Sequence, residues 1–152
     1  MHFKSRDELR RAKIMRQRYF VIEPKYSDPD TFCRFTVGSD RIHASIQIYA
    51  DMWMLREFAT ALTLPLLKEE WPVNVEFIDG DGDLFFFYPT VLPHEGGAKC
   101  LRFRVFQEWQ DDGAPYRADI RFELSAAEAA ELASDLKVWC EKPEYLFIWK
   151  CD

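Results

Sequence analysis

The chain has 152 residues, 48% hydrophobic and 16% aromatic, with a net charge of −6, which suits one domain with a substantial buried core. No apolar run approaches the roughly 18 to 20 residues that span a bilayer, and Met1 to Asp7 lacks the apolar stretch of a signal peptide, so no membrane-spanning helix and a cytoplasmic location are expected. Cys33, Cys100, Cys140 and Cys151 are scattered with no CxxC pair, which fits reduced, packed thiols better than a disulfide framework or a zinc site.

Charge is unevenly placed. Residues 1–20 hold seven basic side chains against Asp7 and Glu8, a local +5 that leaves −11 for residues 21–152. Such a body repels nucleic acid and attracts basic surfaces. Ser5-Arg6-Asp7-Glu8 is a capping box that predicts a short basic helix over about 6–18, with Leu9, Ala12 and Met15 or Ile14 as a thin apolar stripe. Residues 1–20 are therefore expected to be a basic helical arm and 21–152 a single domain.

Alternation of apolar and polar residues then predicts strands. Tyr19 to Glu23 reads as a strand stopped by Pro24, with 27–30 a loop, and 31–37 and 41–49 form a hairpin turned at Gly38-Ser39-Asp40. Pairing Val37 with Ile42 puts Cys33 opposite Ile46 on the core side and His43 opposite Thr36 on the other, which excludes a Cys33–His43 dyad. Asp51 caps a helix to about Leu64, with Met52, Leu55, Phe58, Ala59 and Leu62 on the buried face. Trp53, about 200° round from Leu55, points outward, either to anchor a partner or to pack beneath the arm or the next loop.

Strands at 73–78 and 84–88 flank the turn Asp79-Gly80-Asp81-Gly82-Asp83, and Pro89, Pro93 and Gly96-Gly97 predict an irregular connection. A second hairpin, 99–109 with 116–124, is expected to set Trp109 opposite Tyr116, Glu108 opposite Arg117, Arg102 opposite Glu123 and Arg104 opposite Arg121. Opposed arginines must splay into water, share a carboxylate such as Asp119, or bind an anion. Ser125-Ala126-Ala127-Glu128 is a second capping box, opening a helix to about Glu141 with Ala129, Leu132, Ala133, Leu136 and Trp139 or Cys140 inward. Residues 145–149 form a last strand or an apolar tail. The expected fold is α+β: a mostly antiparallel sheet of about six to seven strands, two main helices on one face, and the short basic N-terminal helix.

Candidate chemistry is sparse. Asp79, Asp81 and Asp83 match positions 1, 3 and 5 of a calcium loop, but Leu84 stands where the glycine is required and Thr90 where the glutamate is. No metal site or cofactor is expected from it. His94 and Glu95 could act as an acid/base pair, but HEGG lacks the second histidine of a zinc helix, and no GxGxxG, P-loop or nucleophile elbow occurs.

From Ile42 onward, the strand, the Asp51-capped helix with Leu55, Phe58 and Leu62, the Trp71-led strand pair, the long hairpin and the helix Ser125 to Leu136 resemble small bacterial α+β families, among them ones regarded as immunity proteins of polymorphic toxin systems. The resemblance implies a cytoplasmic, non-enzymatic protein that binds and neutralises a cognate toxin, and it carries no catalytic residues. The acidic body suits a basic protein partner. If the strands after the first long helix form an antiparallel meander, the turn with Asp79, Asp81 and Asp83 neighbours Asp111 and Asp112, giving an acidic rim that, with Trp53, is the expected partner surface. Two other readings compete: a ligand pocket between sheet and helices lined by Phe85, Phe87, Phe103 and Trp109, and an enzyme centred on His94 and Glu95.

Overall fold

Period-2 patterning in the first third of the chain builds one antiparallel sheet. A computed structural model describes residues 18–28, 30–39, 42–65, 73–74, 77–78, 85–107 and 116–151. In it β1 (Arg18–Asp28), β2 (Asp30–Ser39) and β3 (Ile42–Ala50) form a meander, and β9 (Phe147–Cys151) returns to pair with β1, in the order β3-β2-β1-β9. The segment at 145–149 thus contributes a strand. Pro24 does not stop β1: the register shifts between Pro24 and Tyr26 and the strand continues to Asp28. A residue without a ladder donor is accommodated by an irregularity.

The β2–β3 hairpin corrects the expected register by two residues. Pairing persists out to Ser39 opposite Ile42, so Val37 faces Ala44, Cys33 faces Ile48, and His43 faces Gly38 in place of Thr36. A two-residue slip keeps every side chain on its face, so the buried set survives and Cys33 and His43 remain on opposite sides. Ile42, expected inward, sits at the strand start and is 60% exposed. Gly38 seats Tyr19, since a Cβ there would lie 2.3 Å from the ring's Cζ.

A second sheet follows α1 (Met52–Ala61), in the order β4-β6-β7-β8 with β5 also on β6: β4 (Val73–Asn74), β5 (Phe77–Ile78), β6 (Phe85–Pro93), β7 (Lys99–Gln107) and β8 (Tyr116–Leu124). The expectation of one sheet with both helices on one face is therefore corrected to two antiparallel sheets sharing a core with two helices. β6 runs through Pro89, where irregular chain was expected. Pro89 falls between the two pieces of the neighbouring ladder, Asn74↔Thr90 and Phe77↔Phe87, where its missing donor interrupts no described pair on that side. Regular structure ends at His94, and a 3-10 turn over Glu95–Gly97 uses positive φ at Gly96 (67°) and Gly97 (80°).

The sheets meet through aromatic rings. Phe20 and Phe35 of the first stack on Phe103 and Phe87 of the second at 5.5 and 4.8 Å between centroids, and Phe58 of α1 sets its edge against Phe20 and Phe103. Offset ring pairs of this kind add to the area they bury. Helix α1 buries Leu55, Phe58, Ala59 and Ala61, with Leu62 as its C-cap. It ends three residues before the expected Leu64, and Lys99, buried on the inward face of β7, donates to the Leu64 carbonyl. Helix α2 (Ala126–Glu141) buries Ala129, Leu132, Ala133, Leu136, Trp139 and Cys140, including both of the alternatives at its last turn. Arg56 ties the helices by donating to the Cys140 carbonyl at 3.2 Å, and Trp139 Nε1 donates to the Tyr145 carbonyl at 2.6 Å. The expected helix over 6–18 falls outside the described residues except at Arg18, which begins β1 together with Tyr19 and Phe20.

Candidate interaction surface

The strand order fixes which connections share an end of the second sheet. The last described pairs of β5–β6 and β7–β8 toward their connections are Ile78↔Phe86 and Gln107↔Tyr116, and β6 pairs Phe85 with Gln107, so Ile78, Phe85, Gln107 and Tyr116 lie toward one end. This is the antiparallel meander on which the expected rim depends. Asp79, Asp81, Asp83, Asp111 and Asp112 themselves lie outside the described residues, as do Trp109 and the calcium-like turn. Trp53 is described: it occupies the first turn of α1, its amide donates to Asp51 Oδ1 at 2.8 Å, and it is 63% exposed. Tyr49, just before the cap, is also exposed, and its ring lies 5.0 Å from that of Phe32.

The outward face of the second sheet is a field of arginines. Here too the register differs by two from the expected one: Arg102 faces Arg121, Arg104 faces Asp119, Phe106 faces Arg117 and Cys100 faces Glu123, with Gln107 in place of Trp109 opposite Tyr116. The like-charged pair is thus Arg102 and Arg121, and Asp119 answers it. Arg102 Nε and Nη2 grip Asp119 Oδ1 and Oδ2 at 3.0 and 2.6 Å, and Arg121 Nε lies 3.9 Å from the same Oδ1. These hydrogen bonds, with the nearby guanidinium charges, outweigh desolvation and hold the Asp119 carboxyl below the usual carboxylate range. Arg117 lies 4.9 Å over the Phe106 ring.

His94 reaches Glu123 on β8 at 3.4 Å, with 41% of its side chain exposed, while Glu95 stands exposed on the 3-10 turn. Of the expected pocket lining, Phe87 and Phe103 are buried with their rings against Phe35, Phe20 and each other, so those surfaces already have partners. Cys33 is fully buried and its thiol is pushed up to about 12, first by burial and then by Cys140, whose own thiol burial raises to about 11. Neither forms a thiolate near neutrality. Among the described residues no group of three histidine, cysteine, aspartate or glutamate side chains could hold a metal ion, and no helix is long and apolar enough to cross a membrane.

Sequence reasoning missed the polar junction where both sheets meet α2. Glu128 closes the capping box on the Ser125 amide at 2.9 Å and pairs with Arg18 at 2.9 Å, while Arg18 also donates to the Glu123 carbonyl. Burial raises the Glu128 carboxyl, but hydrogen bonds from Cys151 and Ser125 and the Arg18 charge more than offset it, leaving the group below its ordinary value. The capping box was visible in sequence, whereas its partners Arg18 and Cys151 come from the far ends of the chain. Lys99 could have been noticed, since it shares the inward parity of Leu101 and Phe103. Comparison with family models, with curated proteins and with solved structures gives no match.

Proposed function

We propose that this protein is an acidic protein-binding module that meets a basic partner at the β5–β6 and β7–β8 end of the second sheet, in the manner of an immunity or inhibitor protein neutralising a cognate toxin. The observation that carries the reading is the strand order. Ile78, Phe85, Gln107 and Tyr116 end together, and the chain between those ends holds Asp79, Asp81, Asp83, Asp111 and Asp112. Five carboxylates attached to one sheet end raise encounter rates with a cationic surface, and Trp53 supplies an exposed aromatic of the type that anchors interfaces. The protein is proposed to act without catalysis, as a cytoplasmic binder of protein and not of nucleic acid or membrane.

Affinity capture from the native host, with the full chain as bait, tests this. Wild type should retain a basic protein whose binding weakens as salt rises. Asp81→Lys with Asp112→Lys should lower that affinity by about tenfold or more. A captured partner indifferent to the double reversal and to salt, or no stable partner at all, would overturn the assignment.

A further inference from the structure

β8 is the outer strand of the second sheet: among the described residues it pairs with β7 alone. Its sequence has no proline or glycine and its register with β7 is unbroken. Short length, prolines and bulges are common ways of blunting an open edge, and charge is another. Charge is what β8 carries, since Arg117, Asp119, Arg121 and Glu123 are all exposed on its outward face.

The order of those charges has a symmetry. Signs alternate along the strand and invert about Ile120. An antiparallel copy of the strand with Ile120 on a two-fold axis sets Arg117 opposite Glu123 of the second copy and Asp119 opposite Arg121 of the second copy, and the axis repeats both pairs. On the inward face the same register brings Tyr116 to Leu124, Ala118 to Phe122, and Ile120 to itself. Sliding the copy two residues one way opposes Arg117 with Arg121 and Asp119 with Asp119. Sliding it the other way opposes Asp119 with Glu123 and Arg121 with Arg121. A one-residue slip puts charged positions against apolar ones. Only one nearby register is therefore favourable on both faces.

The backbone parity agrees. The Glu123 carbonyl accepts from the Arg18 side chain, which comes from outside the second sheet, so odd-numbered residues of β8 turn their backbone groups to the edge, as odd-to-odd pairing requires and a one-residue slip does not; at the outer pair that carbonyl is already shared with Arg18. We propose that the open edge of β8 is a self-association surface that takes a second copy of this chain in antiparallel register about Ile120, extending the second sheet across a two-fold axis. Asp119 then lies between its own Arg102 and Arg121 of the second copy.

Sedimentation of the full chain over a concentration series tests this, with variants chosen to break the symmetry and then restore it. Wild type should dimerise with an affinity that falls as salt rises. Asp119→Arg alone and Arg121→Asp alone each oppose like charges at the two central pairs, and each should raise the dimer dissociation constant by on the order of tenfold. An equimolar mixture of the two variants makes every central pair opposite again, so heterodimers should form with near wild-type affinity. Circular dichroism confirms that each variant is folded. If loss of the Arg102 partner unfolds Asp119→Arg, Arg117→Glu mixed with Glu123→Arg poses the same question at the outer pairs. A wild type that stays monomeric to millimolar concentration, a dimer indifferent to the single reversals, or a mixture no tighter than its components would overturn the proposal.

Discussion

Phe20 and Phe35 on the first sheet and Phe87 and Phe103 on the second meet as stacked rings, yet the two sheets turn different residues outward. Behind the first pair lie Tyr19, Val21, Phe32, Thr36, Ser45 and Ile148, with Glu23 held between Lys25 and Arg34. Behind the second lie Arg102, Arg104, Arg117 and Arg121 around Asp119 and Glu123. The inward faces are alike because packing asks only for apolar volume that interdigitates at near-crystalline density. The outward faces answer to no shared constraint, so their differences record what each is exposed to.

The largest expected effect tests the shared core. Phe103 touches rings from both sheets and from α1, so Phe103→Ala should cost about 3–5 kcal/mol in urea unfolding. A loss under about 1 kcal/mol would show that the sheets do not share one core.

Next in size is the junction between them. Glu128→Ala removes the reciprocal half of the capping box and the pair with Arg18, and about 1–2 kcal/mol should be lost. Because the folded Glu128 carboxyl lies below the ordinary value near 4.5, its contribution is present above that value and lost as pH falls through the folded one. Acid titration of stability should therefore be shallower in Glu128→Ala than in wild type, and identical profiles would remove the junction from the account.

Lys99 gives the opposite sign. Burial lowers its ammonium below the ordinary 10.5, so the fold pays for its charge at neutral pH and the penalty is relieved as pH rises through the folded value. Stability should climb in that alkaline window by less than about 1.4 kcal/mol per pH unit, and Lys99→Met should flatten the climb. The smallest effect belongs to the outward arginine face. Asp119→Asn breaks a largely solvated pair and should cost no more than about 1 kcal/mol, and a greater loss would move that face from surface to core.

How far the fold was legible follows the same division. Faces were readable, because alternation in 42–49 and 116–124 depends only on parity. Helix starts were readable at Asp51 and Ser125, where the caps are local. Registers were not, since a two-residue slip leaves every face unchanged: β2–β3 pairs out to Ser39↔Ile42, and in β7–β8 Tyr116 meets Gln107 in place of Trp109. The split into two sheets was also hidden, because alternation marks which face of a strand is buried but not which strands pair, and β1 to β3 pair among themselves and with β9 while β4 to β8 form a ladder of their own. Of the candidate surface, the meander and the outward Trp53 were legible, whereas the partner of His94 was not, because Glu123 reaches it only through the β7–β8 pairing.

Hydrogen exchange of the full chain, alone and with the basic partner recovered from the host, tests the assignment of roles to the two sheets most directly. Added protection is expected at the sheet end marked by Ile78, Phe85, Gln107 and Tyr116 and through the adjoining 79–83 and 111–112, with Val21, Thr36 and Ile148 on the first sheet unchanged. Protection confined to the outward face of the first sheet would contradict it.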